Sequence, residues 1–259
     1  VEWVDQMNRT INVSETPTRI ISTVPSQTEF LADLGLDDHV IGITKFCVNP
    51  DTWFRSKNRI GGTKTLDLEK IKALKPDLII ANKEENVQNQ IEALEEVCPV
   101  WISDIKTLDD ALSMMQSVGK LVGVSEKSNS ICDGILTVRT KSWKTAGGRT
   151  AAYVIWNSPM MVAGGDTFIN TMLQEAGFKN AFAHLNRYPE VDAEMMNDVK
   201  PDFILLSSEP FPFDDKHVAE FEKIFSRSNT IRVDGTMFSW YGSRLQLAFP
   251  YFEELRAEL

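Results

Sequence analysis

This sequence predicts an α/β protein of two similar lobes joined by a long helix. Three observations lead there. Apolar strand-like runs alternate with amphipathic helical runs over most of the chain, which is the pattern of parallel βα units. That rhythm breaks once, over residues 107–145, where apolar residues recur at spacings of three and four with little strand signal. It then restarts, and a Lys-Pro-Asp turn preceded by a helix and followed by an apolar run stands in each half: Leu68 through Ile80 and Ala193 through Leu205 match in element order. One continuous α/β sheet with a chance repeat is the alternative.

Taken in order, residues 1–22 alternate polar and apolar around Asn8-Arg9, which predicts a short hairpin leading into a strand at Arg19-Ile20-Ile21-Ser22. Ser26 with Glu29 three residues on reads as a capping box opening a helix through Phe30, Leu31 and Leu34, and Gly35 stops it. Val40–Ile43 is the next predicted strand. A helix over 66–75, a turn at Pro76-Asp77 and a buried strand at Leu78–Ala81 follow, then a helix over 86–96 and a strand at Val100–Ile102. Leu108, Leu112, Met115, Gly119 and Val122 mark one helix closing the first half. Ile131, Ile135, Val138 and Ser142 mark a longer one starting near Ser125-Glu126 and ending at Gly147-Gly148. In the second half the expected elements are a strand from Thr150 to Trp156, a helix from Asp166 to Ala176 ended by Gly177, a helix over 193–199, a turn at Pro201-Asp202, a strand at Phe203–Leu206, a helix over 215–225, a strand at Thr230–Val233 and a last helix over 243–258. The expected domains are therefore an N-terminal lobe 1–122, a bridging helix 123–148 and a C-terminal lobe 149–259. Two lobes create a cleft, a common place for a ligand.

A chain of 259 residues, 42% hydrophobic and 25% charged, builds its core without disulfide or metal staples. Its 27 basic residues against 37 acidic ones leave a net charge of -10, which argues against nucleic acid and anionic membranes as partners. No apolar run approaches the roughly 18–20 residues of a membrane-spanning helix. The chain opens Val1-Glu2-Trp3 with neither Met nor a signal peptide, which fits a removed leader and equally a recombinantly trimmed chain. The 3 cysteines, Cys47, Cys98 and Cys132, are too few and too widely spaced for a disulfide framework or a zinc site and read as small buried hydrophobes.

Enzyme motifs are missing. There is no G-x-S-x-G, Gly61-Gly62-Thr63-Lys64-Thr65 reads as a turn rather than a phosphate loop, and Gly164-Gly165-Asp166 lacks dinucleotide-binding spacing. His39, His184 and His217 have no paired acidic or cysteine motif, although the loop of His184 lies near the expected cleft. What stands out is aromatic and amide chemistry on loops at strand ends: Pro25-Ser26-Gln27-Thr28, Phe46-Cys47, Trp156-Asn157 with Met160-Met161, and Met237-Phe238-Ser239-Trp240-Tyr241. A large, partly apolar ligand explains aromatics in such places.

The chain resembles the periplasmic substrate-binding proteins for cobalamin, ferric siderophores and haem that serve ABC importers. The resemblance covers nearly the whole chain. It rests on Arg19-Ile20-Ile21-Ser22 with Pro25-Ser26-Gln27-Thr28-Glu29, on Leu68-Glu69-Lys70-Ile71 with Leu74-Lys75-Pro76-Asp77-Leu78-Ile79, on Lys200-Pro201-Asp202, and on Phe238 through Arg244. It implies two Rossmann-like lobes bridged by one long rigid helix, the helical-backbone metal-receptor type, with the ligand in the cleft. Cobalamin-binding members are the most similar. Their ligand loops align with Pro25, Ser26, Gln27 and Thr28, with Phe46 beside Cys47, with Thr63-Lys64, with Trp156 and Asn157, and with Met237, Phe238 and Trp240. Where those members carry Trp, this chain has Thr63 or Lys64, Asn82 and Met237. Lys45, Lys64, Lys83 and Arg244 offer a basic rim that suits an anionic ferric siderophore or haem propionates instead. The resemblance also implies one exposed Glu on each lobe that docks on Arg pockets of the transporter. Glu194 matches in the second lobe. In the first the aligned position is Gln88, and nearby Glu85 is favoured as its substitute over Glu84.

The expected function is thus a non-catalytic receptor that captures a metal chelate, cobalamin or another corrinoid first, and delivers it to an inner-membrane permease. It is expected to be periplasmic or extracytoplasmic, with or without a lipid anchor, monomeric, without resident cofactor or metal and without nucleic-acid partner. A ferric siderophore or haem receptor is the alternative within the family. A tetrapyrrole-acting α/β enzyme, such as a metal chelatase, and a domain that only contacts partner proteins are the alternatives outside it.

Overall fold

The computed structural model describes residues 1–142 and 148–259. The expected helix end at Gly147 lies outside them. The described chain forms two compact units. Unit 1 holds Val1–Ile105, Asp109–Ile135 and Tyr241–Arg244, and unit 2 holds Lys106–Leu108, Leu136–Trp240 and Leu245–Leu259.

Unit 1 opens with an antiparallel hairpin, β1 (Glu2–Val4) and β2 (Thr10–Asn12). There follow β3 (Ile20–Ser22), α1 (Pro25–Asp33), β4 (Val40–Ile43), α2 (Asp51–Ser56), β5 (Asn58–Arg59), a tight hairpin of β6 (Gly61–Gly62) and β7 (Thr65–Leu66), α3 (Leu68–Leu74), β8 (Leu78–Asn82), α4 (Gln88–Glu95), β9 (Val100–Ser103) and α5 (Leu108–Leu121). The sheet runs β5-β4-β3-β8-β9, parallel throughout. Every residue of β8 is buried, as a parallel strand covered on both faces requires. Ile21, Ile60, Ile71, Ile79, Leu94 and Val100 pack in its core, each worth about 1.5–3 kcal/mol when wholly removed from water. The loop after β1 closes the edge of β9: Gln6 N donates to Ile102 O at 3.1 Å, and the buried Asp5 carboxylate accepts from Arg9 Nε at 2.8 Å and from Arg9 N and Met7 N at 2.9 Å. That removes an open strand edge. The helix α6 (Ser125–Ser142) contains the unit boundary, between Ile135 and Leu136.

Unit 2 contains β10 (Thr150–Trp156), β11 (Met161–Val162), α7 (Phe168–Glu175), β12 (Lys179–Asn180), α8 (Ala193–Val199), β13 (Phe203–Ser207), α9 (Asp215–Ile224), β14 (Asn229–Val233), α10 (Gly235–Ser239) and α11 (Leu245–Glu258). Its sheet runs β11-β10-β13-β14, with β12 beside β10, and only β11 is antiparallel.

The repeated Lys-Pro-Asp has a physical basis. Asp67 caps α3 by accepting from Lys70 N at 3.0 Å, and Asp192 caps α8 by accepting from Met195 N at 2.8 Å. Both helices end on a left-handed lysine, Lys75 at φ 49° and Lys200 at φ 45°, because the following proline forbids another helical turn. The aspartates then tie down a neighbouring strand. Asp77 accepts from Thr18 N at 2.8 Å and Arg19 N at 2.9 Å; Asp202 accepts from Thr150 N at 2.7 Å and Thr150 Oγ1 at 3.0 Å.

Local stop signals act where expected: Gly35 and Gly177 follow α1 and α7 with φ of 79° and 89°. The capping box at Ser26 does not form. The helix begins one residue earlier at Pro25, which lacks the N–H a first helical residue would leave unused; Val24 is its N-cap, and Ser26 is carried inside and buried. Glu29 turns to Arg244 instead, with Oε2 2.8 Å from Arg244 Nε. Two short helices escape the periodicity reading. In α2, Trp53 is buried and donates from Nε1 to Asp37 Oδ1 at 2.7 Å. In α10, residues read as a loop form a helix capped by Asp234, which accepts from Thr236 N at 2.9 Å.

Candidate ligand-binding site

Ligands of open parallel α/β sheets sit beyond the carboxyl ends of the strands, and each unit is distinctive there. In unit 1 the ends of β3, β8 and β9 carry Ser22, Asn82 and Ser103, all buried. Gln27 on the first turn of α1 donates from Nε2 to Ser103 Oγ at 2.7 Å and to Ala81 O at 3.2 Å. Asn82 Nδ2 reaches the same Ser103 Oγ at 2.9 Å, and its Oδ1 accepts from Glu84 N and Glu85 N at 2.8 and 3.0 Å. Asn86 accepts on Oδ1 from Asn82 N and Thr23 Oγ1 and donates from Nδ2 to Thr63 O at 3.0 Å. Gln27 and Thr28 are thus part of a buried, neutral hydrogen-bonded layer, and Pro25 and Ser26 are buried with them.

Thr28 Oγ1 lies 2.8 Å from Ser22 Oγ and 3.1 Å from Cys47 Sγ. Cys47 is fully buried, and burial pushes its thiol up against the weaker pull of the Thr28 and Thr44 hydrogen bonds. It is a packed thiol under α1, which corrects its place among ligand contacts. Its neighbour Phe46 is 51% exposed, with Lys45 Nζ 5.1 Å above the ring. The tyrosine next to Trp240, Tyr241, is buried in unit 1. Its hydroxyl is held well above its ordinary range by burial first and the Glu85 carboxylate next.

Two members of the expected basic rim are paired with carboxylates and a third bonds a main-chain carbonyl, while Lys45 stays exposed. Arg244 pairs with Glu29, Nη2 lying 2.5 Å from Oε1; Lys83 pairs with Asp104 at 2.6 Å; exposed Lys64 donates to Glu84 O at 2.7 Å. Gly61 through Thr65 form the expected turn, as the β6–β7 hairpin.

In unit 2 the edge is aromatic. Trp156, the last residue of β10, is 39% exposed. Its Nε1 donates to Ser158 O at 3.1 Å, and its ring meets Phe211 edge-on at 5.5 Å and 72°. Asn157 and Met237 are half-buried. Trp240 is only 7% exposed, and its Nε1 donates to Glu209 Oε1 at 2.7 Å. Phe238 is fully enclosed, 4.8 Å from Phe252 and 5.1 Å from Tyr153. The correction has a plain cause: once 235–239 is helical, Phe238 falls on the face that meets the core. His184 is exposed, 6.2 Å from the Phe182 ring. Among the described residues no three His, Cys, Asp or Glu side chains cluster to hold a metal ion.

Sequence reasoning passed over Asn86, Ser103, Glu209 and Phe211. Polar residues closing buried strands were the available signal for Ser103, and the run Pro210-Phe211-Pro212-Phe213 for Phe211.

Glu194 is exposed in the first turn of α8, beside exposed Met195. The internal repeat assigns its counterpart as Glu69, in the first turn of α3 after an identical Asp cap, 85% exposed and 3.0 Å from Lys72. Glu85 is half-buried near Tyr241 and Cys47, a different environment from that of Glu194.

Among relatives, the chain is 24% identical over 215 residues to an uncharacterized ABC transporter substrate-binding lipoprotein of Bacillus subtilis (strain 168), covering 78% of this chain and 67% of that one. It is 25% identical over 195 residues to a vitamin B12-binding protein of Yersinia pestis (strain Pestoides F), covering 73% and 69%. A solved periplasmic haem-binding protein of Vibrio cholerae shares its fold with a TM-score of 0.78 at 16% identity, over 92% of this chain and 98% of that one. No helix among the described residues is long and apolar enough to cross a membrane. Residues 20–226, containing both parallel sheets' central strands and both Lys-Pro-Asp corners, match the periplasmic binding protein family, and the chain belongs to it.

Proposed function

We propose that the chain is the extracytoplasmic substrate-binding component of an ABC importer and that its ligand is a metal chelate, a corrinoid such as cobalamin before any other. The observation that carries this is the exposed aromatic at the carboxyl edge of each sheet, Phe46 in unit 1 and Trp156 in unit 2. Leaving such rings in water forgoes about 25 cal/mol per Å² of apolar surface, which the face of a macrocycle recovers. The neutral amide and hydroxyl layer of unit 1 suits a ligand rimmed with carboxamides. With Arg244 and Lys83 already paired, carboxylates would be desolvated there without compensation. The vitamin B12-binding relatives support the same choice. Exposed Lys45 beside Phe46 favours the second reading, a haem or ferric siderophore.

The protein binds and releases its ligand without turning it over, acts as a monomer without nucleic acid, and is tethered by a lipid where its lipoprotein relative is a guide. Glu69 and Glu194 dock it on basic pockets of the permease, where charge-assisted contacts are strong and directional. Absorbance and calorimetric titration against cyanocobalamin, haemin and a ferric siderophore panel tests the ligand. Tight cyanocobalamin binding is expected, and binding of a siderophore alone would overturn the corrinoid assignment. Porphyrin turnover with free metal would overturn the receptor reading itself.

A further inference from the structure

The exposed indole of Trp156 is held from two sides, and the second side belongs to a segment with its own anchor. Where β13 ends, Tyr153 Oη donates to Ser207 Oγ at 3.0 Å, and Ser207 Oγ donates to Glu209 O at 2.5 Å. Glu209 Oε1 then accepts from Ser239 Oγ at 2.8 Å and Trp240 Nε1 at 2.7 Å, so one carboxylate oxygen clamps the end of α10. The start of α10 is fitted to the same segment. Gly235 N donates to Ser208 Oγ at 2.9 Å, and a Cβ at Gly235 would stand 2.3 Å from Ser207 Oγ and 2.7 Å from Glu209 Cγ. Two residues beyond Glu209, and restricted to extended backbone by the proline that follows it, half-buried Phe211 packs on Phe213 at 4.6 Å and His217 at 5.2 Å and lies against the Trp156 ring.

We infer that Ser208–Phe213 is the positioning element of the ligand site, with Glu209 and Phe211 as positioning residues that set the orientation of Trp156 before a flat conjugated chelate arrives. This rests on the reading of Trp156 as a ligand contact. Orienting an aromatic in advance lowers the ordering cost of binding. Glu209 acts at a distance: it fixes the segment to α10, and the segment fixes Phe211.

The test uses the full chain, titrated with cyanocobalamin and with haemin, together with acrylamide quenching of Trp156 taken as the difference from W156F. W156A should weaken binding about tenfold or more. F211L should weaken it roughly two- to tenfold and make Trp156 more accessible to acrylamide, while F211Y, which keeps the ring, should do neither. E209A should resemble F211L. E209Q should restore binding, because its amide oxygen still accepts from Ser239 and Trp240; a merely structural cavity effect in E209A would lower urea stability and leave Trp156 quenching unchanged. Urea unfolding of each variant identifies any that fails to fold, and F211Y and E209Q then carry the comparison. Native affinity in F211L and E209A with weakened W156A would overturn this inference alone. Native affinity in W156A would overturn it together with the ligand role of Trp156. If neither probe binds, unchanged Trp156 quenching in F211L and E209A overturns the inference by itself.

Discussion

At the amino ends of their sheets the two units are built alike, and at the carboxyl ends they differ. Both enter the central strand through an Asp-capped helix, a left-handed lysine, a proline and an aspartate bonded to backbone N–H of a neighbouring strand. At the other end, unit 1 closes β8 and β9 with Asn82, Ser103 and Gln27 in a buried polar layer, whereas unit 2 closes β10 with the exposed Trp156 backed by Phe211. One edge holds the architecture and is repeated because the same backbone problem recurs. The other is where the proposed ligand contacts lie, and there the two frames differ, with a buried hydrogen-bonded layer in unit 1 and an exposed aromatic in unit 2.

The strongest way to break that comparison is within the aromatic edge itself. Phe238→Ala removes a fully buried ring packed on Tyr153 and Phe252, and should cost about 3–5 kcal/mol in urea unfolding with ligand affinity near native. A large affinity loss at unchanged stability would return Phe238 to the ligand. Trp156→Ala should do the reverse, costing about 1–3 kcal/mol in ligand affinity by calorimetry and less stability than Phe238→Ala, since Trp156 is already 39% exposed.

The repeated corners can be sharpened by pH. Hydrogen bonds from Thr150 N and Oγ1 hold the Asp202 carboxyl below the usual carboxylate range. A depressed folded-state pKa gives stability that is present above the unfolded value, about 3.9, and is lost as pH falls through it toward the folded value. Asp202→Asn should therefore show a shallower acid loss of stability than the unmodified chain, and superimposable curves would remove the corner from acid sensitivity. The smallest expected effect is at Cys47. Burial raises its thiol, and raises Cys98 to about 12 and Cys132 to about 11, so a thiol reagent near neutral pH should label none in the folded protein and all three on unfolding. Rapid labelling of Cys47 would show that α1 does not cover it.

Much of this architecture is legible without coordinates. Strand and helix order, the glycine stops at Gly35 and Gly177 and the turn at Gly61 through Thr65 follow from periodicity and backbone preference, which act over a few residues. So does the Lys-Pro-Asp corner, since a proline after lysine ends a helix wherever it occurs. The strand-end loops stand out in the sequence too, because amides and aromatics are unusual there.

Only the tertiary structure decided what each of those side chains does. Ser26 and Glu29 have the spacing of a capping box, yet Pro25 starts the helix and Arg244, far along the chain, claims Glu29. Phe238 and Trp156 are equally plausible ligand aromatics as letters. One turns inward on a five-residue helix too short to show a period, and the other stays out because Phe211 and Ser158 O hold it there. Glu85 and Glu69 are both acidic and flank the first corner along the chain, but burial beside Tyr241 separates the first from the exposed second. Local preference specifies an element; which face meets the core, and which charge finds a partner, depends on residues that only the folded chain brings together.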